Sequence, residues 1–466
     1  MKAVLLIDFG STYTKLTAVD IDAEQILGTA AAFTTVKTDI NEGYKTALKT
    51  LKSEIGEIDF QECYACSSAA GGLRMITSGL VPELTSEAAR LASLGAGAKV
   101  IRVYSFELTD EDVAEISSEN PDIFLLVGGT DGGNTECILH NAEMLAGIKP
   151  DFPIVFAGNR NAAKKCKEIL DGCELYICPN VMPKFGELKI EPTQEQIRDI
   201  FLDKIVKAKG LSGAAELLSD IIMPTPAAVL SAVRLLADGT DGESGIGELV
   251  AIDVGGATTD IYSIADGMPE HMNTVFKGLP EPYAKRTVEG DIGMRYSVGG
   301  IIDSAGIERV CAISGLDAQK INALVNELKL HPDKVPDNNE LEALDFALAC
   351  CAVEEAVTRH AGTISESYTL LGKVLVQEGK NLSGVKNIVV TGGSLIHTQK
   401  ILEISENALY SLSNPKSLRP KSVDVLADKR YILAAMGLLS THYPKTALKI
   451  MKRELIHYGH SKQTHS

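Results

Sequence analysis

Short apolar runs rich in β-branched residues alternate with amphipathic stretches along most of the chain. Each run is bounded by Gly, Asp or Thr, which favour turns, so each run indicates a buried strand. The clearest five are Val4–Ile7, Ile123–Val127, Pro153–Phe156, Leu249–Ile252 and Asn387–Val390. Regular alternation of strands and helices is typical of an α/β protein with largely parallel sheets, and this is the fold class that the pattern predicts.

The spacing of apolar residues predicts two helices with particular clarity. The first runs from about Gln194 to Lys209, with Thr193 as its N-cap. The second contains the buried face Leu344–Ala352 and continues toward Arg359. Apolar residues recur at helical spacing in both segments, so we expect both helices to pack one face against a core.

The chain also contains a weak internal repeat. One strand leads into Asp8-Phe9-Gly10-Ser11-Thr12, and a later strand leads into Asp253-Val254-Gly255-Gly256-Ala257. Each unit is followed by a strand that ends in a glycine pair, Gly128-Gly129 in the first unit and Gly392-Gly393 in the second. Similar elements in the same order and at similar spacing predict two duplicated lobes.

The repeat suggests a division of the chain into lobes. The predicted first lobe spans residues 1–238 and holds an inserted α/β segment around residues 120–180. The predicted second lobe spans residues 248–450, and a polar C-terminal tail follows at residues 451–466. The stretch Asp238–Gly247 is rich in Gly, Asp and Ser and is the predicted linker.

Composition narrows the class of function. The chain has 466 residues and a net charge of −17, which argues against a nucleic-acid or anionic-membrane surface because both require basic patches. No run reaches the roughly 18 apolar residues that a membrane span needs, and Asp8 interrupts the apolar start too early for a signal peptide. The nine cysteines fit reduced core thiols. We therefore expect a cytoplasmic protein that binds neither nucleic acid nor membrane.

The loops after the two repeated strands have the chemistry of phosphate binding. Glycine lets a backbone turn sharply and approach an anion, and amide N–H and hydroxyl groups donate to phosphate oxygens. The predicted phosphate-binding residues are Gly10, Ser11, Thr12, Lys15, Gly255, Gly256, Thr258 and Thr259. Neither loop is a Walker A motif, because the required Gly-Lys-Ser/Thr spacing is absent.

Asp8 and Asp253 each stand at the end of a repeated strand, immediately before a glycine loop. We predict that both carboxylates organise Mg²⁺ and water, since Mg²⁺ keeps most of its hydration shell and is often held through it. The same two residues are the predicted catalytic residues. The sequence thus predicts ATP and Mg²⁺ as cofactors, with the two aspartates facing each other across a cleft.

Five motifs in this order resemble those of the superfamily that contains the sugar kinases, Hsp70 and the actin-like ATPases. Its two phosphate loops are similar to the loops at Asp8 and Asp253. Its adenosine loop is similar to Val389–Ser394, and its two connecting helices to Ile222–Val229 and Leu433–Gly437. The resemblance spans nearly the whole chain.

This resemblance implies a duplicated ribonuclease-H-like fold of two lobes with a nucleotide cleft. It also implies that three residues of the adenosine loop lie against the nucleoside, namely Gly392, Gly393 and Ser394. Hsp70-like members usually carry a glutamate just before the Pro-Thr of the first connecting helix, where it positions the attacking water. Met223 stands at that place here, so the resemblance implies slow hydrolysis or a requirement for a partner.

Three further motifs resemble a narrower family, the accessory proteins (GlmL, also called MutL) encoded beside adenosylcobalamin-dependent glutamate mutase and aminomutases. The motifs are Ser67–Arg74, Val127–Asn134 and Lys285–Arg295. The family resemblance implies an ATP-dependent chaperone or reactivating factor, whose partner is an adenosylcobalamin-dependent mutase and which helps to replace damaged cobalamin.

Several readings stay open from the residues alone. The fold also serves small-molecule kinases and ATP-driven activators of radical enzymes that carry an iron–sulfur cluster, and filament formation is a further alternative. Charged residues of Lys285–Arg295 either contact nucleotide or form a salt-bridged surface loop. The loop Gly128–Asn134 either binds an anion or is a tight turn, and the oligomeric state is left open.

Overall fold

The computed structural model describes residues 1–10, 13–34, 40–68, 73–201, 220–270, 273–369 and 372–462. The chain divides into two compact units. Unit 1 comprises Met1–Ala232, Gly278–Pro282 and Ile432–Ile450. Unit 2 comprises Val233–Lys277, Tyr283–Tyr431 and Met451–Ser466.

Unit 1 contains a five-stranded sheet that starts with an antiparallel meander. Its first elements are β1 (Ala3–Phe9), β2 (Tyr13–Asp20), β3 (Gln25–Phe33), helix α1 (Ile40–Ile55) and β4 (Glu62–Ser67). Strands β1, β2 and β3 pair antiparallel, and β4 pairs parallel with β1. Every residue of β1 is buried, as expected for a strand in the middle of a sheet that is covered on both faces.

A second, fully parallel sheet follows β4 in the chain. Its strands are β5 (Arg74–Gly79), β6 (Lys99–Ser105), β7 (Ile123–Leu126), β8 (Ile154–Phe156) and β9 (Leu175–Ile177). They lie in the order β6-β5-β7-β8-β9. The inserted α/β segment therefore begins well before residue 120, where the sequence had placed its start.

Helices cover both faces of the inserted sheet. They are a short π-helix (Pro82–Ser86), α2 (Glu87–Gly95), α3 (Asp110–Glu119), α4 (Glu136–Ile148), α5 (Ala163–Ile169) and α6 (Glu191–Ile200). Helices α2 and α6 share one apolar cluster with the sheet, and α3, α4 and α5 share another on the opposite face. This arrangement is a doubly wound α/β domain.

The last strand of the first sheet comes after the insertion. Strand β10 (Asp220–Pro224) pairs parallel with β4 and runs directly into helix α7 (Thr225–Asp238). The sheet order is thus β10-β4-β1-β2-β3. Two neighbouring strands of this sheet are separated in sequence by the whole inserted domain.

Unit 2 begins its sheet in the same way as unit 1. A short hairpin whose strands have two residues each, β11 (Gly239–Thr240) and β12 (Glu243–Ser244), occupies the stretch that was predicted as a linker. The following strands are β13 (Leu249–Val254), β14 (Thr259–Ile264), β15 (Thr274–Lys277) and β16 (Ala284–Glu289). Strands β13, β14 and β16 form an antiparallel meander.

Four helices follow and supply most of the core of unit 2. They are α8 (Val298–Ala305), α9 (Ile307–Ser314), α10 (Ala318–Leu330) and α11 (Asn339–His360). Asn338 caps α11 by accepting a hydrogen bond of 2.9 Å from the amide of Leu341. Leu344 and Ala347–Val353 are buried in this helix, which confirms the predicted apolar face and its continuation past Arg359.

The remaining elements complete both units. They are β17 (Thr363–Thr369), β18 (Gly372–Glu378), β19 (Asn387–Thr391), α12 (Gly393–Ile396), α13 (Ile401–Glu406), β20 (Ser422–Ala427), α14 (Leu433–Ser440), α15 (Pro444–Glu454) and β21 (Ile456–Lys462). The main sheet of unit 2 has the order β16-β14-β13-β19-β20-β21, and a smaller sheet has the order β15-β18-β17.

The two main sheets share one topology. In each, a central strand (β1 or β13) has an antiparallel meander on one side and parallel strands on the other. This pattern confirms the predicted duplicated α/β fold of the ribonuclease-H-like type. All five predicted strands are also confirmed, with bounds that differ by at most two residues at either end.

The glycine-pair equivalence used to detect the repeat is wrong. The counterpart of β19 in unit 1 is β4, because both pair parallel with the central strand. Gly128 and Gly129 instead follow β7 in the inserted sheet. The segment that follows β4 includes residues 69–72, which lie outside the described residues.

Two further expectations need correction. The helix expected over Gln194–Lys209 begins at Glu191, where Glu191 and Pro192 suit a first helical turn, and Thr193 lies inside it rather than capping it. Its predicted C-terminal part falls in residues 202–219, outside the described residues.

The C-terminal segment is not a tail as far as residue 462. Met451 lies in α15, and β21 pairs antiparallel with β20. Within β21, Tyr458 packs on the core and Ser461 is buried. His457 and His460 face the carboxylate of Asp424 on β20. The histidines therefore belong to a paired strand.

A hydrogen-bonded cluster around Glu62 connects the first and last segments of unit 1. Lys2 Nζ lies 2.7 Å from the Glu62 carboxylate, and the hydroxyls of Tyr64 and Tyr443 each donate to it at 2.8 Å. Burial by itself would raise the pKa of Glu62, but these donors lower the pKa to about 2. The carboxylate thus ties the N-terminal strand, β4 and the C-terminal helices together.

We predict that Glu62→Gln lowers the free energy of unfolding by roughly 1 kcal/mol at pH 7, a value reduced for partial exposure to solvent. Because the folded-state pKa is depressed, the contribution is fully present above the unfolded pKa near 4.5 and is lost as the pH falls toward about 2. Urea titrations at several pH values measure this.

The control is Glu57→Gln, which removes the exposed partner of Lys52 and is expected to change stability by less than half as much. A deficit in Glu62→Gln that stayed the same size from pH 7 to pH 2.5 would contradict the electrostatic explanation.

Candidate functional site

The first phosphate-type loop is a tight hairpin turn at the end of β1. The amide of Gly10 donates to the carbonyl of Tyr13 at 3.1 Å. A Cβ on Gly10 would lie 2.6 Å from that oxygen, so glycine is required for this close approach. The predicted residues Ser11 and Thr12 lie outside the described residues.

Asp8 is buried at the root of this loop and is held by three groups. The Thr225 hydroxyl donates to Asp8 Oδ1 at 2.7 Å, and the Cys66 thiol donates to the same oxygen at 3.5 Å. Lys15 pairs with Asp8 across the hairpin and places its ammonium 3.9 Å from Asp8 Oδ2. The structure thus brings the predicted residues Asp8, Gly10 and Lys15 together.

Sequence reasoning missed Thr225 and Cys66. Thr225 is the first residue of α7, and Cys66 stands beside Asp8 in β4, so both reach Asp8 through strand pairing that no local pattern reveals. Complete burial raises the pKa of the Cys66 thiol well above its usual value, so the sulfur is a neutral donor rather than a nucleophile. The sequence signal that could have identified Thr225 is the Pro224-Thr225 pair at the start of the connecting helix.

The second loop repeats the geometry of the first. The Gly255 amide donates to the Thr258 carbonyl at 2.9 Å, as Gly10 does to Tyr13. Asp253 pairs with Asp260 across the hairpin in the register in which Asp8 pairs with Lys15. The duplicated backbone therefore carries opposite charges at the position that follows the turn.

Asp260, the acidic residue that follows the second loop, is neutralised by Arg286 of β16. Arg286 Nε donates to Asp260 Oδ1 at 2.8 Å, and a second guanidinium nitrogen lies 2.6 Å from the same oxygen. Thr258 also donates to Asp260, at 3.3 Å. Arg286 is 4% exposed, so its charge serves this buried pair.

Thr259 does not present its hydroxyl to a ligand. It is fully buried and donates to the carbonyl of Ile292 at 3.0 Å. This contact corrects the prediction that the Thr259 hydroxyl binds phosphate. It instead fixes the second loop to the segment that follows β16.

The charged segment Lys285–Arg295, which includes most of β16, holds the second phosphate-type loop through backbone hydrogen bonds. The amides of Met294 and Arg295 donate to the carbonyls of Gly255 and Gly256 at 3.0 and 2.8 Å. Arg295 is itself paired with Asp345 at 2.8 Å. Of the two readings of this charged segment, the contacts favour internal ion pairing.

The adenosine-type loop follows β19. Gly392 has a φ of +98°, and a Cβ there would lie 2.3 Å from the Val254 carbonyl, so the chain requires glycine at this point. Gly393 is exposed beside the hydroxyl of Tyr431, which lies 3.3 Å from its ideal Cβ position. Ser394 is half-buried in the short helix α12.

Two further buried residues lie near the ends of strands in the two main sheets. Met223 is buried on β10 opposite Cys66, so a thioether stands one strand away from the neighbour of Asp8. A buried carboxylate that sequence reasoning missed, Asp428, directly follows β20, and its amide donates to Val390 at 2.9 Å. A thioether cannot activate water, whereas a carboxylate can.

Each strand-end carboxylate, Asp8 in unit 1 and Asp253 in unit 2, is by itself an oxygen donor of the type that Mg²⁺ prefers. Within the described residues, no cluster of three or more His, Cys, Asp or Glu side chains is arranged to hold a metal directly.

The described helices include none that is long and apolar enough to span a bilayer.

Comparison with solved structures gives two full-length likenesses of low sequence identity. Gluconate kinase from Lactobacillus acidophilus is 12% identical with a TM-score of 0.37, covering 99% of this chain and 94% of the kinase. The activator of the 2-hydroxyisocaproyl-CoA dehydratase from Clostridium difficile is 9% identical with a TM-score of 0.34, covering 100% of both chains.

Comparison of sequences gives a much closer match. Protein MutL from Clostridium tetanomorphum is 47% identical over 460 residues, which cover 98% of this chain and all of that protein. The profile of the family described as MutL protein matches residues 4–455. Because both matches run over essentially the whole length, the chain belongs to the MutL protein family.

Proposed function

We propose that this protein binds ATP with Mg²⁺ and hydrolyses it slowly, as a chaperone or reactivating factor for an adenosylcobalamin-dependent mutase. The observation that carries the nucleotide part is the repeated hairpin, in which a strand-end aspartate precedes a glycine whose amide closes the turn. Family membership supports an accessory protein, and the resemblance of its motifs suggests the mutase as partner.

The phosphate-binding role falls to the two loops. Gly10 and Lys15 with Ser11 and Thr12 serve the first loop, and Gly255, Gly256 and Thr258 serve the second. Lys15 is 31% exposed and supplies the cation that a phosphate group needs. Bound Mg²⁺ would neutralise phosphate charge, while Asp8 and Asp253 orient its water ligands.

The adenosine-type loop is the proposed nucleoside site. Gly393 and Ser394 present backbone and a small side chain to a flat base, and Gly392 lets the loop turn closely against Val254. Slow turnover follows from Met223, because the buried thioether offers no base for the attacking water. Slow intrinsic hydrolysis is what a factor that acts through a partner requires.

We predict that Asp8→Asn and Asp253→Asn each reduce Mg·ATP hydrolysis at least about 100-fold, because each removes the charge that orients the metal and its water. The amide keeps the size of the side chain, so the melting temperature is expected to change little. Steady-state phosphate release measures the effect. Asp22→Asn, an exposed carboxylate in the β2–β3 turn, is the matched control. Full turnover in both variants would refute the assignment.

Thr225 is predicted to act as a positioning residue. Thr225→Val removes the 2.7 Å hydrogen bond to Asp8 and is expected to lower kcat about tenfold, the value of one hydrogen bond to a charged group. The KM for ATP is expected to stay within twofold, because Thr225 contacts Asp8 rather than nucleotide. Thr225→Ser keeps the donor and serves as control. A loss shared equally by both variants would contradict the positioning role.

The partner is tested with the adenosylcobalamin mutase encoded nearest to this protein, after inactivation with a damaged cobalamin. We expect ATP to restore mutase activity only when this protein is present, and the mutase to stimulate hydrolysis. Asp8→Asn is expected to abolish both effects. ATP binding with neither stimulation nor recovery would overturn the mutase proposal, and phosphoryl transfer to a small acceptor would favour a kinase.

A further inference from the structure

The inserted domain has the strand order of a doubly wound fold with a reversal point. Numbered from its own first strand, the sheet β6-β5-β7-β8-β9 has the order 2-1-3-4-5, and all its strands are parallel. After β5 the chain adds β6 at one edge of the sheet, and it then adds β7, β8 and β9 in turn on the other side of β5. In such sheets, ligands bind outside the carboxyl ends of the strands at this reversal.

We propose that the carboxyl ends of β5 and β7 form a second ligand site, which takes a phosphate-bearing molecule with a flat ring. We call this region the switch-point edge and define it by Ser78, Phe106 and the loop Gly128–Asn134. It lies entirely within unit 1 and shares no residue with the loops at Asp8 and Asp253.

The loop Gly128–Asn134 is held in a fixed shape by two buried asparagines. Asn159 accepts from the Gly132 amide at 3.2 Å and donates to the carbonyls of Gly133 and Asn134 at 3.0 Å. Asn180 donates to the Gly129 carbonyl and to the Asp131 carboxylate, each at 3.0 Å. The loop leads into helix α4, whose first turn favours an anion.

Hydrogen-bond donors are available at this point. Among the described residues, the amides of Thr130 and Thr135 have no acceptor within the protein. Thr130 is half-buried and Gly132 and Gly133 are exposed, so a ligand can reach the loop. The carboxylate of Asp131 is engaged by Asn180 and by the Arg160 amide at 3.0 Å, which reduces its effect on an incoming anion.

Ser78 supplies an independent sign of an absent partner. It is completely buried near the end of β5, and its hydroxyl has no hydrogen-bond partner in the described structure. It pairs in register with Leu126 and therefore faces the side of the sheet on which α4 packs. A buried hydroxyl without a partner costs about 1–3 kcal/mol, so its persistence at the switch point indicates a ligand or ligand-bound water.

Phe106 supplies a surface for a flat ring. It is 58% exposed directly after β6, and its φ of +67° is unusual for a bulky residue. Its amide donates to the Gly79 carbonyl at 2.9 Å, and its carbonyl accepts from Asn141, so the backbone is fixed at the end of β5. An exposed aromatic ring at the carboxyl end of β6 suits stacking against a ring that carries a phosphate.

The test uses the full-length protein and fluorescence titration with flavin mononucleotide and pyridoxal 5′-phosphate. Riboflavin and pyridoxal are the matched probes without phosphate and are expected to bind at least tenfold more weakly. Titrations are repeated with Lys15→Ala, which would weaken a probe bound at the first phosphate-type loop but not one bound at the switch-point edge. Absence of binding by both phosphorylated probes at millimolar concentration, or binding weakened tenfold by Lys15→Ala, would overturn the proposal.

Variants locate the site. Asn134→Asp keeps the hydrogen bond that Asn134 accepts from the Cys137 amide but adds a negative charge, so it is expected to weaken phosphate binding about tenfold. Asn134→Ser keeps a cap without charge and is the control. Glu136→Gln removes an exposed charge from the first turn of α4 and is expected to strengthen binding about threefold.

Phe106→Asn removes the ring, while asparagine tolerates the positive φ, so binding is expected to fall about tenfold with little change in melting temperature. Equal affinities in Asn134→Asp and Asn134→Ser, or an unchanged affinity in Phe106→Asn, would show that the ligand binds elsewhere.

Discussion

The hydrogen bond from Thr225 to Asp8 is the contact on which the first loop depends. The two residues are 217 positions apart, and they meet because β10 pairs with β4, which in turn pairs with β1. Asp8 is buried, and a buried carboxylate needs donors to keep one orientation. The register of three strands thus sets the direction of a single carboxylate, and a slip of one residue would turn that carboxylate to the other face.

Duplication preserved the backbone of the loops and left their charges free to diverge. Gly10 and Gly255 close the same turn, yet Lys15 in one hairpin corresponds to Asp260 in the other. A cation left at the first loop and an acid neutralised by Arg286 at the second give the two loops different electrostatics on one scaffold. The first loop therefore carries a partly exposed lysine beside Asp8, and the second carries a buried ion pair.

Local patterns predicted the parts of the fold that depend on local chemistry. Apolar runs and glycine turns identified β1, β13 and β19, because each strand is buried on both faces and ends in a turn. The partners of Asp8 were not predictable, since Thr225 and Cys66 reach it only through strand pairing. The same limit explains the wrong glycine pair at Gly128, because β7 resembles β19 in sequence but belongs to another sheet. The polar composition of residues 451–466 suggested a tail, although β21 pairs with β20.

The position of the inserted domain has a consequence for how the polypeptide reaches its native state. Strands β4 and β10 are neighbours, so the insertion leaves and returns at adjacent points of one sheet. Its contacts are mostly local βα steps, which form quickly, whereas β10 must close a very long loop before it can pair. During synthesis the insertion is therefore expected to fold as an independent unit, while the sheet that carries Asp8 waits for β10 to leave the ribosome. A chain built in this way completes the sheet that carries Asp8 only after its inserted domain is already in place.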